Sequence, residues 1–181
     1  GQRECMNADP GHYVPNQGAT NQTQCSIGTY QPLSGQWSCQ NAEPGHYVDD
    51  VGAISQTPCS VGEYQPSSGQ TSCLTTSAGS YTNSTGSINQ QPCLPGNFQP
   101  LPGQAECFQA EPGYYVDTLA ATAQTPCPAG SYNPFNQADE ATDCVLADTG
   151  HYVALLGSVA QDECNPGSYS STQRQSACDA A

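Results

Sequence analysis

The spacing of the cysteines constrains this chain more than any other feature. Eleven cysteines stand in 181 residues: Cys5, Cys25, Cys39, Cys59, Cys73, Cys93, Cys107, Cys127, Cys144, Cys164 and Cys178. The gaps alternate between 20 and 14 residues, except that Cys127 and Cys144 are 17 apart. The chain is therefore a tandem array with a 34-residue period and two cysteines per period, lengthened once by three residues around positions 137–142. Self-similarity at a fixed period marks a repeat architecture and governs the expected fold.

A finer period lies inside the first. Gly11, Gly28, Gly45, Gly62, Gly79, Gly96, Gly113 and Gly130 are each 17 apart, and Gly150 and Gly167 follow the insertion. Two residues after each stands an aromatic: Tyr13, Tyr30, Tyr47, Tyr64, Tyr81, Phe98, Tyr115, Tyr132, Tyr152 and Tyr169. Most half-repeats carry a second glycine, at Gly18, Gly35, Gly52, Gly69, Gly86, Gly103 and Gly157.

A 34-residue period also suits a tetratricopeptide array, but the residue types exclude it. Pro-Gly and Gly pairs break helices in every unit, and no apolar stripe recurs at i, i+3, i+4, i+7. Short apolar or aromatic pieces between turn signals read instead as strands of two to four residues. Pro10-Gly11, Pro44-Gly45, Pro95-Gly96, Pro112-Gly113 and Pro166-Gly167 suit type II turns, with Pro fixing φ and Gly accepting φ > 0. Pro32, Pro66, Pro100 and Pro134 suit edge or turn positions.

Composition alone argues against a fold. Leu, Ile, Val and Phe number 22 and the formal net charge is −14, a combination typical of disordered chains. Repetition resolves the conflict, because stacked units can pool cores that each is too small to build alone. Disulfides add to this, each closing a loop of about 15 residues and contributing roughly 3 kcal/mol in the chain-entropy model. The aromatics are expected to pack on disulfides or on neighbouring units. A pI near 4.1 with two cationic side chains excludes binding to nucleic acid or to an anionic membrane surface. No apolar run has the roughly 18 residues of a spanning helix. No signal-peptide pattern opens the sequence, so an exported chain would have had its signal removed or carried elsewhere.

Such cysteine use implies an oxidising compartment, and the absence of Cys-x2-Cys pairs argues against zinc. The segment Cys25-x2-Gly28-x-Tyr30-x4-Gly35-x3-Cys39 recurs from Cys59, Cys93, Cys127 and Cys164. It resembles the first loop of tumour-necrosis-factor-receptor modules and the ephrin-receptor-like cysteine-rich repeats of extracellular proteins. The resemblance implies disulfides Cys25–Cys39, Cys59–Cys73, Cys93–Cys107, Cys127–Cys144 and Cys164–Cys178. Those families continue with Cys-x2-Cys, whereas Cys39, Cys73 and Cys107 stand alone here, and the pairing Cys5–Cys25, Cys39–Cys59 and onward is the alternative. Eleven is odd, and the first pairing leaves Cys5 unpaired or available to another chain. Residues 1–5 match the phase of Gly35 to Cys39, which reads as a window cut from a longer array.

Candidate chemistry is sparse. His12, His46 and His151 share a position held elsewhere by Ser80, Tyr114, Thr29 or Glu63, so a structural role is expected. Glu43, Asp49, Asp50, Glu111 and Asp117 recur in the longer segments and form a solvated acidic face that could hold Ca²⁺ weakly; no calcium loop is present. No nucleophile elbow, P-loop, zinc signature or dinucleotide fingerprint occurs, so no enzyme, metal or cofactor site is expected. Asn21-Gln22-Thr23 and Asn83-Ser84-Thr85 are N-glycosylation sequons.

The fold expected is all-β, small and disulfide-rich: an elongated, solenoid-like rod of 34-residue repeats, each of two 17-residue half-modules. Its units run over residues 1–38, 39–72, 73–106, 107–143 (with the insertion) and 144–181. The function expected is that of a secreted, non-enzymatic structural glycoprotein, self-associating into or spacing a fibre, filament or cell-surface appendage. The alternative is a ligand-binding receptor ectodomain, with the insertion near Asp139, Glu140 and Asp143 as its binding loop.

Overall fold

A computed structural model describes residues 5–181. The Gly1 to Glu4 part of the phase match lies outside the described residues. The chain divides into two compact units that interleave in sequence. Unit 1 takes the described residues up to Thr76, with 82–90 and 103–105; unit 2 takes 77–81, 91–102 and 106–181.

Both units are built from antiparallel hairpins whose strands are two residues long. Unit 1 holds hairpin 1 (His12–Tyr13 with Thr23–Gln24), hairpin 2 (Thr29–Tyr30 with Gln40–Asn41), hairpin 3 (His46–Tyr47 with Thr57–Pro58) and hairpin 4 (Glu63–Tyr64 with Leu74–Thr75). The strands of unit 2 form hairpin 5 (Ser80–Tyr81 with Gln91–Pro92), hairpin 6 (Asn97–Phe98 with Phe108–Gln109) and hairpin 7 (Tyr114–Tyr115 with Thr125–Pro126). Hairpin 8 (Ser131–Tyr132 with Val145–Leu146), hairpin 9 (His151–Tyr152 with Asp162–Glu163) and hairpin 10 (Ser168–Tyr169 with Asp179–Ala180) complete it. The first strand of each is the x-aromatic pair of the Gly-x-aromatic signature.

Two-stranded ribbons this short are not stable alone. Three backbone hydrogen bonds tie each half-module to the next within a unit. Hairpin 1 shows the pattern. Gly11 N–H donates to Gln31 O at 2.7 Å, Val14 N–H donates to Gln36 O at 3.0 Å, and Ala8 O accepts from Gly35 N–H at 2.7 Å. Hairpin 7 repeats it in unit 2, through Gly113 to Asn133 O, Val116 to Ala138 O and Gln137 to Ala110 O. Peptide groups that a two-residue strand leaves unpaired are satisfied in this way.

The second neighbour sets the glycine period. Gly45 has φ +82°, and a Cβ built there would collide with the carbonyl oxygen of Gly86, two half-modules on. The same collision recurs at Gly113 with Gly157 O in unit 2. A 17-residue recurrence of glycine is therefore dictated by close backbone approach as well as by turn geometry.

The interior combines small apolar residues and disulfide cysteines with buried polar side chains. Gln31, Gln99 and Asn133 are among the largest fully buried side chains. Gln31 Nε2 donates to Ser38 O at 2.8 Å while its Oε1 accepts from Leu33 N–H at 3.1 Å, and Gln65 and Gln99 repeat this arrangement. No buried side-chain polar atom among the described residues lacks a partner. The apolar cluster is small: Ala110, Val116 and Ala121, with Phe98 packed against it. Every leucine and isoleucine is exposed, from Leu146 at 41% to Leu155 at 73%. The scarce aliphatic residues thus lie on the surface, and buried amides with small side chains fill the stack.

Candidate functional site

Two kinds of staple alternate along the half-modules. In hairpins 2, 4, 6, 8 and 10 the staple is a disulfide: Cys25–Cys39, Cys59–Cys73, Cys93–Cys107, Cys127–Cys144 and Cys164–Cys178. Their Cα–Cα distances run from 5.6 to 5.9 Å. The three-residue insertion falls inside the Cys127–Cys144 loop, whose separation is 17 where the others are 14. Cys5 is a free, exposed thiol.

The odd-numbered hairpins carry no cysteine. Where the first cysteine would stand they have a small buried residue: Ala8, Ala42, Thr76, Ala110 or Ala147. Where the second would stand they have glutamine: Gln22, Gln56, Gln90, Gln124 or Gln161. Gln56 Oε1 accepts from Glu43 N–H at 2.7 Å, and its Nε2 donates to Glu43 Oε2 at 3.0 Å. Gln22 with Asp9, Gln124 with Glu111 and Gln161 with Asp148 form the same two-bond clamp. Ser77 and Gln90 stand at the matching positions in hairpin 5. The clamp spans 13 residues where the disulfide spans 14. It explains why Glu43 and Glu111 recur: each carboxylate holds the turn that opens its own hairpin. The sequence signal was a glutamine every 34 residues, and sequence reasoning passed over it.

The structure disperses the remaining candidates. His12, His46 and His151 each hold Nδ1 within 3.2 to 3.3 Å of the carbonyl two residues earlier, a local contact that Asn97 reproduces through its amide at 3.3 Å. Asp49, Asp50 and Asp117 are exposed. No group of three His, Cys, Asp or Glu residues among the described residues could hold a metal ion. Asn21 and Asn83 are exposed. The insertion forms a single 3-10 turn, Ala141–Asp143. Asp143 Oδ2 accepts from the N–H groups of Asp139 and Glu140 at 3.0 and 3.1 Å, and Thr142 Oγ1 donates to Glu140 Oε2 at 2.9 Å. Asp143 therefore braces its own loop.

Disulfide-closed Cys-x2-Gly-x-aromatic hairpins alternating with cysteine-free ones decide the comparison with known proteins. The family model described as tyrosine-protein kinase ephrin type A/B receptor-like matches twice, over residues 11–59 and 45–93. Residues 11–93 are similar to ephrin-receptor-like cysteine-rich modules. The two matches begin at Gly11 and Gly45 and end at Cys59 and Cys93, so they are offset by the 34-residue period. The alternating staples continue to Cys178, with the three-residue insertion in the Cys127–Cys144 loop. Ephrin-receptor-like repeats are extracellular modules and are typically non-enzymatic. No curated protein matches the chain. Among the described residues no helix is long and apolar enough to cross a membrane.

Proposed function

We propose that this chain is a structural extracellular repeat protein that forms or spaces a fibre, filament or cell-surface appendage. One observation carries the reading. Within each unit the same three backbone bonds and the same glycine contact recur from one half-module to the next, so near-equivalent surfaces are presented again and again. Repeated head-to-tail contacts between such surfaces give open filaments. The exposed leucines and isoleucines add apolar area for association. Glycans at Asn21 and Asn83 and weak Ca²⁺ binding by the acidic face belong to the same proposal. Electron microscopy of the native material tests it: filaments support it, and discrete monomers sink it.

A second reading is a ligand-binding ectodomain, which the receptor-like family favours. Its binding loop would be the insertion, where Asp139 and Glu140 are exposed. Deleting residues 139–141 would abolish ligand capture on that reading and leave filament formation intact on the first.

A further inference from the structure

The alternation of staples decides how the chain carries tension. A pulled chain is loaded along its covalent path, and each disulfide is a short cut on that path. Load enters hairpin 4 at Cys59 and leaves at Cys73 across a Cα–Cα distance of 5.7 Å, and the loop between them bears none of it. The Cys93–Cys107 and Cys127–Cys144 bridges shield hairpins 6 and 8 in the same way. The hairpins between bridges have no such short cut. Hairpin 3 lies between Cys39 and Cys59, hairpin 7 between Cys107 and Cys127, and hairpin 9 between Cys144 and Cys164, each pair 20 residues apart. What closes them is noncovalent: a two-residue ladder and a solvent-exposed clamp, Gln56 with Glu43, Gln124 with Glu111 or Gln161 with Asp148. Backbone bonds to the next half-module, such as Gly45 N–H to Gln65 O and Val48 N–H to Gln70 O, complete the hold. Little apolar area resists parting, because the fully buried apolar side chains of hairpin 3 are those of Ala42 and Val48.

We propose that the chain is an extensible tether, whose clamped hairpins open one at a time under tension while the disulfide loops stay shut and set the limit of stretch. The inference rests on the fibre-or-spacer reading and deepens it by giving that spacer a mechanical task. Opening is stepwise because the stability of a repeat array is a sum over units and their nearest-neighbour interfaces, so one half-module yields without the rest. Opening hairpin 3 frees the 20-residue segment from Cys39 to Cys59, which spans up to about 70 Å when fully extended. A bridged loop adds nothing: its 14-residue separation would extend to about 46–50 Å, and the bridge holds it at 5.7 Å. Recovery follows from the same arrangement. Each opened segment lies between two hairpins whose loops are still closed, so re-formation needs only contacts close in sequence, and such contacts form fast.

Single-molecule stretching of the full chain tests this, with a handle on each end and Cys5→Ser so that the free thiol attacks no bridge. The oxidised chain should lengthen in separate steps of at most about 70 Å and retrace them on relaxation. Reduction should add about 40–45 Å for each opened bridge of 14-residue separation. Ala42→Cys with Gln56→Cys should shorten the full extension of the oxidised chain by about 40–45 Å, because the new bridge takes hairpin 3 out of the load path. Gln56→Ala removes a clamp and leaves its ladder, so one step should come about fivefold sooner at fixed force. A single rupture that releases a whole unit, a chain that stays closed until its handles detach, steps that do not retrace, or a Gln56→Ala chain that opens as the unsubstituted one does would each overturn the proposal. Native filaments whose chains do not extend in steps would sink the tether and leave the filament reading standing. Discrete monomers in the native material would sink the filament reading, and the load-bearing task with it.

Discussion

A methyl group added at Gly45 would collide with the carbonyl oxygen of Gly86 and would also have to hold φ at +82°. Both effects are costly. The left-handed backbone costs roughly 1–2 kcal/mol and the overpacking roughly 1–3 more, so Gly45→Ala should lower stability by about 2–5 kcal/mol in a denaturant titration. The turn residue of each half-module has the opposite latitude. It is glycine in most, but Ala120, Gln137 and Arg174 hold φ of 57°, 60° and 67° in the same place. Ala120→Gly should therefore be neutral or stabilising by up to about 1 kcal/mol, since it relieves left-handed strain at some cost in chain entropy. Gln99 provides the third case. It is 1% exposed and satisfies both Glu106 O and Leu101 N–H, so Gln99→Leu should cost about 1–3 kcal/mol by leaving those groups unpaired.

Alternation of two staples is the organising feature at the scale of the element. Gln56→Ala breaks both bonds of an exposed clamp and should cost only about 1 kcal/mol, measured as a shift in unfolding midpoint. Ala42 and Gln56 stand where cysteines stand in the neighbouring hairpins. The double variant Ala42→Cys, Gln56→Cys should accordingly form a sixth disulfide, detectable as a linked peptide under non-reducing conditions. Much of this element was legible in the sequence. The 17-residue period fixed where turns and strands fall, since Gly-x-aromatic marks the first strand of every hairpin. The clamp was not legible, because a hydrogen bond from Gln56 to Glu43 leaves no covalent signature, and both residue types also suit a solvated surface. The buried Gln31, Gln65 and Gln99 were hidden for a related reason. Polar residues are mostly exposed, and these amides are inside because each satisfies a backbone carbonyl and a backbone N–H of its own hairpin. Glu43 and Glu111 belong by sequence to an acidic face, and the clamp gives them a local task.

At the scale of the whole molecule, low aliphatic content and order are reconciled. The chain does not need a large apolar core, because disulfides, clamps and inter-module backbone bonds hold each unit. Reduction should therefore act strongly. Each bridge stabilises by roughly 3 kcal/mol, and opening all five should abolish the native circular dichroism signal under conditions where the oxidised chain is folded. The leucines and isoleucines take no part in that framework and stay exposed. Non-reducing peptide mapping of the native protein tests the alternating-staple account most directly. It should recover Cys25 linked to Cys39, Cys59 to Cys73, Cys93 to Cys107, Cys127 to Cys144 and Cys164 to Cys178. A peptide linking Cys5 to Cys25, or Cys39 to Cys59, would contradict it.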